Sequence, residues 1–577
     1  MDSEPAATTG DVPASDVPVA AECAPVDEKG RRQGRVWLAA ILVLAAFLRL
    51  YDLEGMPPGM YTDEVSVAYN AHSLLKTGKD WNGRRWPLLH FEAYGDRPNC
   101  LYLYLSVPFQ VMGGMNKIAH RLPSAVGSIA TVLLICFVAG RMFGRPVGLV
   151  AAGMLAICPW HILTSRMAMS STVSLDPMLI LGAMAVILWA GLPLGDEPVR
   201  ARPARAAVAG LLVPVALYGY WASKLFLPPL LVVAAVLCWW RWRELLGTGR
   251  GRLAVALLAG MGLIALSPVI YDLATSWGAG SARMDAVWAG SKDSWTGAWA
   301  AAGRYLPHYG VRFLFLKGDR MWAHALTGGG VLYWFMLPLM LAGLGVAVAR
   351  ARRSPAARVL LAWLVLYPLP DLLATHPTPH LLRSSPGIGA FCILAALGAV
   401  WGVGWLRARW RRLAAAAVGV ILAAAGVGVG RYAYLFFVDY PSRPMLHLGF
   451  YADYQEAIRW LRPQYDKLDA VYCTFPHLYH QPFAYMLFGL EYDPARWQGE
   501  SHRILETAQG RTIVAFGKVR FLTETARYAL ESLMANDTAE TVAFIVRPGQ
   551  IESPAPPVYQ VRLPNGDISL VIYVLQL

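Results

Sequence analysis

The chain has 577 residues, of which 56% are hydrophobic, 15% are charged and 21 are Trp. That is far more apolar surface than a soluble core requires, so an ordinary globular or disordered protein is excluded. The formal net charge of +13 would suit a nucleic-acid binder, but the basic residues fall in short runs between apolar segments, at Arg31-Arg32, Arg141 to Arg145, Arg200 to Arg205, Arg241 to Arg252, Arg350 to Arg353 and Arg407 to Arg412. That is the distribution of cytoplasmic loops in a polytopic membrane protein.

Residues 1–34 are rich in Ala, Pro, Asp and Glu without apolar period, lack the layout of a cleavable signal, and read as a disordered cytoplasmic tail. Lys29, Arg31, Arg32 and Arg35 then hold the start of a first span, 36–51, inside. Further spans of the length a helix needs to cross the hydrocarbon are expected at 121–142, 147–164, 177–193, 206–222, 225–240, 253–271, 331–349, 357–374, 386–405 and 413–436, about eleven in all. The apolar run Leu101 to Met115 is read as an interfacial helix, because counting it as a crossing would put three arginine runs outside. The resulting topology has the N-terminus in the cytoplasm and the C-terminus outside. The outer face then receives 52–120, the link from Ser165 to Asp176, Trp221 to Lys224, the loop 272–330, the link from Thr375 to Ser385, and everything beyond 437.

Beyond 437 the pattern changes. Asp453 to Leu461 has helical spacing, strands are expected at 470–472, 513–516, 542–546, 559–563 and 568–575, and a helix at 523–534, which together suggest an α/β domain outside the membrane. The 7 Cys show no CxxC or metal-type spacing and read as small apolar residues.

The chemistry-bearing residues cluster on the outer face. Asp63 and Glu64 open a helix after the first span. One reading is a cap and an early acidic residue at a helix N-terminus; the other is a general base on an acceptor hydroxyl. Neighbours in a helix diverge by about 100°, so one of the two faces a reaction centre, and Asp63 is preferred. Asp176-Pro177 has the form of a helix start and also places an acid at membrane depth on the same face. Lys224 follows Tyr218 to Ser223 at the outer end of a helical hairpin, where a Lys beside aromatics can be an interfacial anchor. His380 and Arg383, three apart, would share a helical face and suit an anionic group. Asp319 and His324 could be loop residues paired with Arg320, or with the others could complete a substrate-binding face. Carboxylates on one side and cations on the other suit displacement of a phosphate from a sugar.

This order of motifs resembles the GT-C fold glycosyltransferases related to lipid A aminoarabinose transferases and protein O-mannosyltransferases. The resemblance is carried by Thr62-Asp63-Glu64, Asp96-Arg97-Pro98 before the interfacial helix, Arg121 to Ala125, Phe143-Gly144, Ser165-Arg166 with Leu175-Asp176-Pro177, Phe315 to Asp319, and His380 to Arg383. It covers roughly residues 36–405. It implies a cell-envelope enzyme of the cytoplasmic (inner) membrane that takes a sugar, hexosyl or pentosyl, from a polyprenyl-phosphate donor to a lipid, glycan or protein acceptor, with inversion. Asp63 matches the first-loop catalytic carboxylate and Asp176 its acidic partner. Arg97, Lys224 and Arg383 match positions that hold the donor phosphate. A divalent metal near Asp63 and Asp176 would follow some relatives, but no metal ligand set is assigned and the cofactor is left unknown. The expected organisation is a tail (1–34), a GT-C transmembrane domain (35–436) and an extracytoplasmic α/β domain (437–577). The alternative is a transporter or flippase for a lipid-linked or anionic substrate, which would favour ionisable residues at span midpoints. No nucleic-acid partner is expected.

Overall fold

A computed structural model describes residues 28–93, 97–168, 174–275, 299, 302–321, 329–372, 378–475, 482–507, 510–523, 527–534 and 539–576. The apolar runs form helices: α1 (Glu28–Leu50), α4 (Lys117–Phe143), α5 (Arg145–Ile157) with α6 (Pro159–Ser165), α7 (Asp176–Trp189), α8 (Pro203–Leu212), α9 (Trp221–Leu237) with α10 (Trp239–Leu246), α11 (Gly249–Thr275), α12 (Met336–Arg350), α13 (Pro355–Leu366), α14 (Gly387–Arg409) and α15 (Arg411–Tyr434). Between α1 and α4 lie α2 (Thr62–Thr77) and the 13-residue α3 (Leu101–Gly113). Among the described residues, 6 helices are long and apolar enough to cross a membrane, or up to 8 if each of two bent pairs is one span. The protein is an integral membrane protein. Helix α1 begins at Glu28, so residues 28–34 are helical and do not belong to a disordered tail; the rest of that tail lies outside the described residues.

Polar contacts sort the helix ends. Arg141 pairs with Glu197, Asp196 accepts from Ser354 Oγ (2.6 Å) and Ala356 N (2.9 Å), and Arg358 donates to Leu237 O (3.0 Å). These contacts gather arginine-bearing ends of α4, α9, α12 and α13 together. The opposite ends of α1, α4, α6, α7, α9 and α14 meet through carboxylates, serines and buried arginines.

One of those arginines explains how a broken span survives. Pro159 has no N–H for Leu155 O, which accepts only the longer bond from Cys158 N (3.3 Å), and the Trp160 N–H turns away to Val331 O (3.2 Å), so the helical bonds to Leu155 O and Ala156 O are lost where α5 bends 59° into α6. Arg49, fully buried at the end of α1, donates to both, at 2.9 Å to Ala156 O and 3.2 Å to Leu155 O, and to His161 Nδ1 at 2.8 Å. Arg166 reciprocates from the end of α6, donating to Leu48 O (3.2 Å) and Asp52 O (2.8 Å) beside the rings of Phe436 and Phe437. Arg49 thereby sits on the C-terminal carbonyls of α5, and Arg166, at the end of α6, on those of α1. Arg49→Met is expected to cost about 1–3 kcal/mol for a carbonyl left without a donor, read as a lower melting midpoint of the purified protein in detergent. An unchanged midpoint would show that the bend is held by other contacts.

Helices α12 and α14 approach more closely than side chains allow. A Cβ on Gly343 would collide with Leu394 O, and one on Gly398 with Leu339 O, the small-residue contact that membrane helices use to bring backbones together.

The C-terminal part carries a seven-stranded sheet of order β2-β3-β4-β1-β5-β7-β6, with β1 (Ala470–Phe475) parallel to β4 (Val519–Thr523) and β5 (Thr541–Val546), and β2 (Arg503–Thr507), β3 (Gly510–Phe516), β6 (Tyr559–Arg562) and β7 (Ile568–Gln576) antiparallel to their neighbours. The expected helix at 523–534 is corrected: Thr523 ends β4, and the helix is Leu530–Met534. Side chains alternate across the central strand. Val471, Cys473 and Phe475 join a core shared with α2 and α3, while Ala470 and Tyr472 join one with Leu522, Val542 and Phe544.

Candidate active site

Helix α2 starts at an extended Tyr61, and Glu64 closes a capping box by accepting from Tyr61 N at 2.9 Å. The same carboxylate accepts from Arg121 Nε (3.0 Å) and Nη2 (3.2 Å) and from Ala168 N (2.9 Å). Arg121 also donates to Leu53 O (3.2 Å), Pro57 O (3.0 Å) and Gly59 O (2.5 Å). Both side chains are fully buried. Burial works to raise the Glu64 carboxyl, but the Arg121 guanidinium and the backbone donors outweigh it and hold the group below its ordinary range. Glu64 is therefore not free to take a substrate proton. The expectation that it is catalytic is corrected, because each of its oxygens already holds two donors. Asp63, one residue earlier and half-buried, lies about 100° round the helix, at the end where the helix dipole favours a negative charge.

The C-terminal domain grips this helix. Tyr485, in the helix Phe483–Gly489, has its hydroxyl 3.2 Å from Thr62 Oγ1 and 3.3 Å from Met60 O. Tyr69 donates to Tyr492 O (3.0 Å), and Trp497 Nε1 to Trp81 O (2.9 Å). Gln498 Nε2 reaches Ser73 Oγ, Thr77 Oγ1 and Asp80 O at 3.0–3.1 Å. The helix carrying Asp63 is thus clamped at its start and along its length.

Asp176 opens α7 fully buried. Ser223 Oγ bonds its Oδ1, and Ser385 Oγ donates to its Oδ2 at 2.8 Å, so this acid knots α7, α9 and the start of α14. Next to Ser223, Lys224 donates to Asn99 Oδ1 (2.8 Å) and lies over the Trp221 ring (4.7 Å). His90 sits 3.2 Å from Asp272. Burial and then the positive charge of Lys224 hold the His90 imidazole below its ordinary pKa, with Arg97 adding to the effect and Asp272 opposing it. Lys224, Arg97 and His90 therefore share one electrostatic neighbourhood with the Asp272 carboxylate.

A third cluster surrounds the segment before α14. Asp319 accepts from Met321 N (3.0 Å) and Leu381 N (2.7 Å), and stands 4.0 Å from His380 Nδ1, and so organises the loop. His380 and Arg383 lie in a run of turns, not on a helical face. Asp371 Oδ2 accepts from His380 N (2.7 Å) and His308 Nε2 (3.0 Å), and Asp371 Oδ1 is 3.9 Å from Arg383 Nη1. Arg383 also lies close enough to Tyr220 to act on its hydroxyl electrostatically. His324 lies outside the described residues.

Asp371, His308, Arg121 and Tyr485 were not singled out from the sequence. A signal existed for two of them: Asp371 falls inside the apolar run 357–374 and Arg121 at the edge of 121–142, and an ionisable residue at membrane depth requires a partner. Among the described residues no group of three or more His, Cys, Asp or Glu is placed to hold a metal ion, and the oxygens of Asp176 are occupied by serine hydroxyls.

No family model matches the sequence, and no curated protein matches it. Solved structures do match in fold. The archaeal oligosaccharyltransferase AglB from Archaeoglobus fulgidus, in complex with an inhibitory peptide and a dolichol-phosphate, superposes with a TM-score of 0.51 at 12% identity over 80% of this chain, which spans 64% of that protein's length. ArnT from Cupriavidus metallidurans in the apo state gives a TM-score of 0.50 at 15% identity over 95% of this chain and 98% of that one. The chain has the fold of these proteins, the GT-C fold of membrane glycosyltransferases.

Proposed function

We propose that the protein is a membrane glycosyltransferase that moves a sugar from a polyprenyl-phosphate-linked donor to an acceptor hydroxyl on the outer face, inverting the anomeric carbon. In this reading Asp63 takes the proton of the acceptor hydroxyl as its oxygen attacks C1, the C1–O bond to phosphate breaks, and the lipid phosphate leaves with its negative charge beside Lys224, Arg97 and His90. Asp176 positions Ser223 and hence Lys224. Asp319 and His380 shape the loop that delivers Arg383.

The observation that carries this reading is the segregation of the helix ends. The exposed arginine runs between helices fall at one end, while Asp63, the Lys224 cation group and the C-terminal sheet lie at the other, together with the buried Arg49, Arg121 and Arg166. It supports eleven crossings, a cytoplasmic N-terminus, residues 437–577 outside the cytoplasmic membrane, and a catalytic face on that outer side. The GT-C fold, and the dolichol-phosphate in the AglB complex, support a lipid-phosphate donor. The purified protein, given polyprenyl-phosphate mannose, glucose or arabinose with an envelope-lipid and glycan extract, is expected to release free polyprenyl phosphate from one of them. Recovery of all three lipids intact would count against the reading.

A further inference from the structure

The Asp371–Arg383 pair holds an opening sized for one oxygen atom. Asp371 Oδ1 and Arg383 Nη1 stand 3.9 Å apart, too far for a direct hydrogen bond, yet a single oxygen about 2.8 Å from each would bridge them. Both atoms are shielded from solvent, and neither has a hydrogen-bond partner among the described residues. Such orphaned charged atoms are costly when buried unless something completes them.

The surrounding contacts keep the opening from closing. Asp371 is fully buried, and its other oxygen is held by His308 Nε2 and His380 N. His308 is in turn fixed through Nδ1 against Arg304 O (3.0 Å) and Tyr305 O (3.2 Å), and Tyr367 donates to His308 O (2.7 Å). The acceptor therefore faces the Arg383 donor from an anchored side chain.

A ligand atom that satisfies both must accept from Arg383 and donate to Asp371. A phosphodiester has no proton to donate and would set its charge against the carboxylate; a hydroxyl meets both requirements. The place is also right for one. Ser385, two residues beyond Arg383, bonds Asp176, and Tyr220 is one helical turn from Lys224. The opening therefore adjoins the cations expected at the lipid phosphate.

We infer that Asp371 and Arg383 recognise a hydroxyl of the donor's glycosyl group, and so select the sugar, with Arg383 serving the sugar instead of the phosphate. This rests on the glycosyl-donor reading above.

The test uses full-length protein in nanodiscs and compares affinity for polyprenyl-phosphate mannose, glucose and arabinose with affinity for bare polyprenyl phosphate. In Asp371→Asn the two donors on Oδ2 keep the amide oxygen on their side, so the amide NH2 turns toward Arg383 and the acceptor becomes a donor. Binding of the best sugar-lipid is expected to fall about 10–100-fold, with bare polyprenyl phosphate bound as before. Arg383→Gln is expected to show the same selective loss, and retained binding of the bare lipid reports that either variant is folded. Equal weakening of both lipids, or no weakening of either, would overturn the inference while leaving the glycosyltransferase reading intact. Wild-type protein that binds bare polyprenyl phosphate but none of the sugar-lipids would overturn the donor reading itself, and the inference with it.

Discussion

Asp63→Asn is expected to lower sugar transfer by about 10²- to 10⁴-fold, the usual contribution of a positioned general base, while leaving donor binding close to wild type. The asparagine fills the same volume at the same point of α2. Helix α2 itself is held by Glu64, Arg121 and Tyr485, so its start stays in place when residue 63 changes. What disappears is the group that receives the hydroxyl proton. Transfer kinetics with saturating polyprenyl-phosphate donor read this as a fall in kcat with little change in KM. A variant that kept more than about a tenth of wild-type kcat would remove Asp63 from the reaction.

Glu64→Gln is expected to act through structure. It leaves the Arg121 guanidinium buried with no carboxylate, a change that costs about 3–5 kcal/mol where one partner of a buried ion pair is lost. Arg121 also fastens Leu53, Pro57 and Gly59, so the whole entry to α2 loosens and activity is lost with it. The expected signature is a lowered melting midpoint and faster proteolysis between α1 and α2, in contrast to an Asp63→Asn protein that melts like the wild type. The pair also sets a pH limit. Because the folded Glu64 carboxyl is held below its ordinary value of 4.5, its stabilisation is complete above that value and is lost as the pH falls through the lower folded pKa. Wild-type protein should therefore lose stability on acidification below about pH 4.5, and Glu64→Gln should lose less of what it retains. Equal melting of the two proteins at pH 7 would show that the ion pair does not hold the helix.

The membrane architecture was legible because it depends on local rules. Hydrocarbon thickness sets the length of apolar runs, and most of each expected run is helical; 147–164, 206–222 and 225–240 are broken, and among the described residues the helices long and apolar enough to cross number 6, or up to 8, against the eleven expected. The exclusion of residues 101–115 from the spans rested on arginine placement, and the structure makes that run a 13-residue helix packed beside α2 and α4. Partner choice was not legible. Glu64 and Arg121 are 57 residues apart, and Thr62 and Tyr485 are 423 apart; no periodicity announces such contacts. The pairing of Asp63 with Glu64 as catalytic candidates failed for Glu64 because two adjacent carboxylates look alike in a sequence, whereas one of them meets a buried guanidinium. The role of Asp319 in its loop was not legible for a similar reason. It accepts from the backbone N–H groups of Met321 and Leu381, which any sequence would possess. The run 147–164 was expected as one span and is bent at Pro159 between α5 and α6, and that Arg49 would cap the bend depended on a helix more than a hundred residues earlier.

The central claim is covalent transfer from a lipid-phosphate sugar on the side of the membrane where the C-terminal sheet lies. It is tested most directly in proteoliposomes of defined orientation, with sugar-labelled polyprenyl-phosphate donor supplied in one leaflet at a time and acceptor extract on the same side. The account predicts labelled acceptor with the anomeric configuration inverted, only when the donor is in the leaflet beside the sheet domain, and none with Asp63→Asn. Appearance of the intact labelled lipid in the opposite leaflet, with no labelled acceptor on either side, would contradict it.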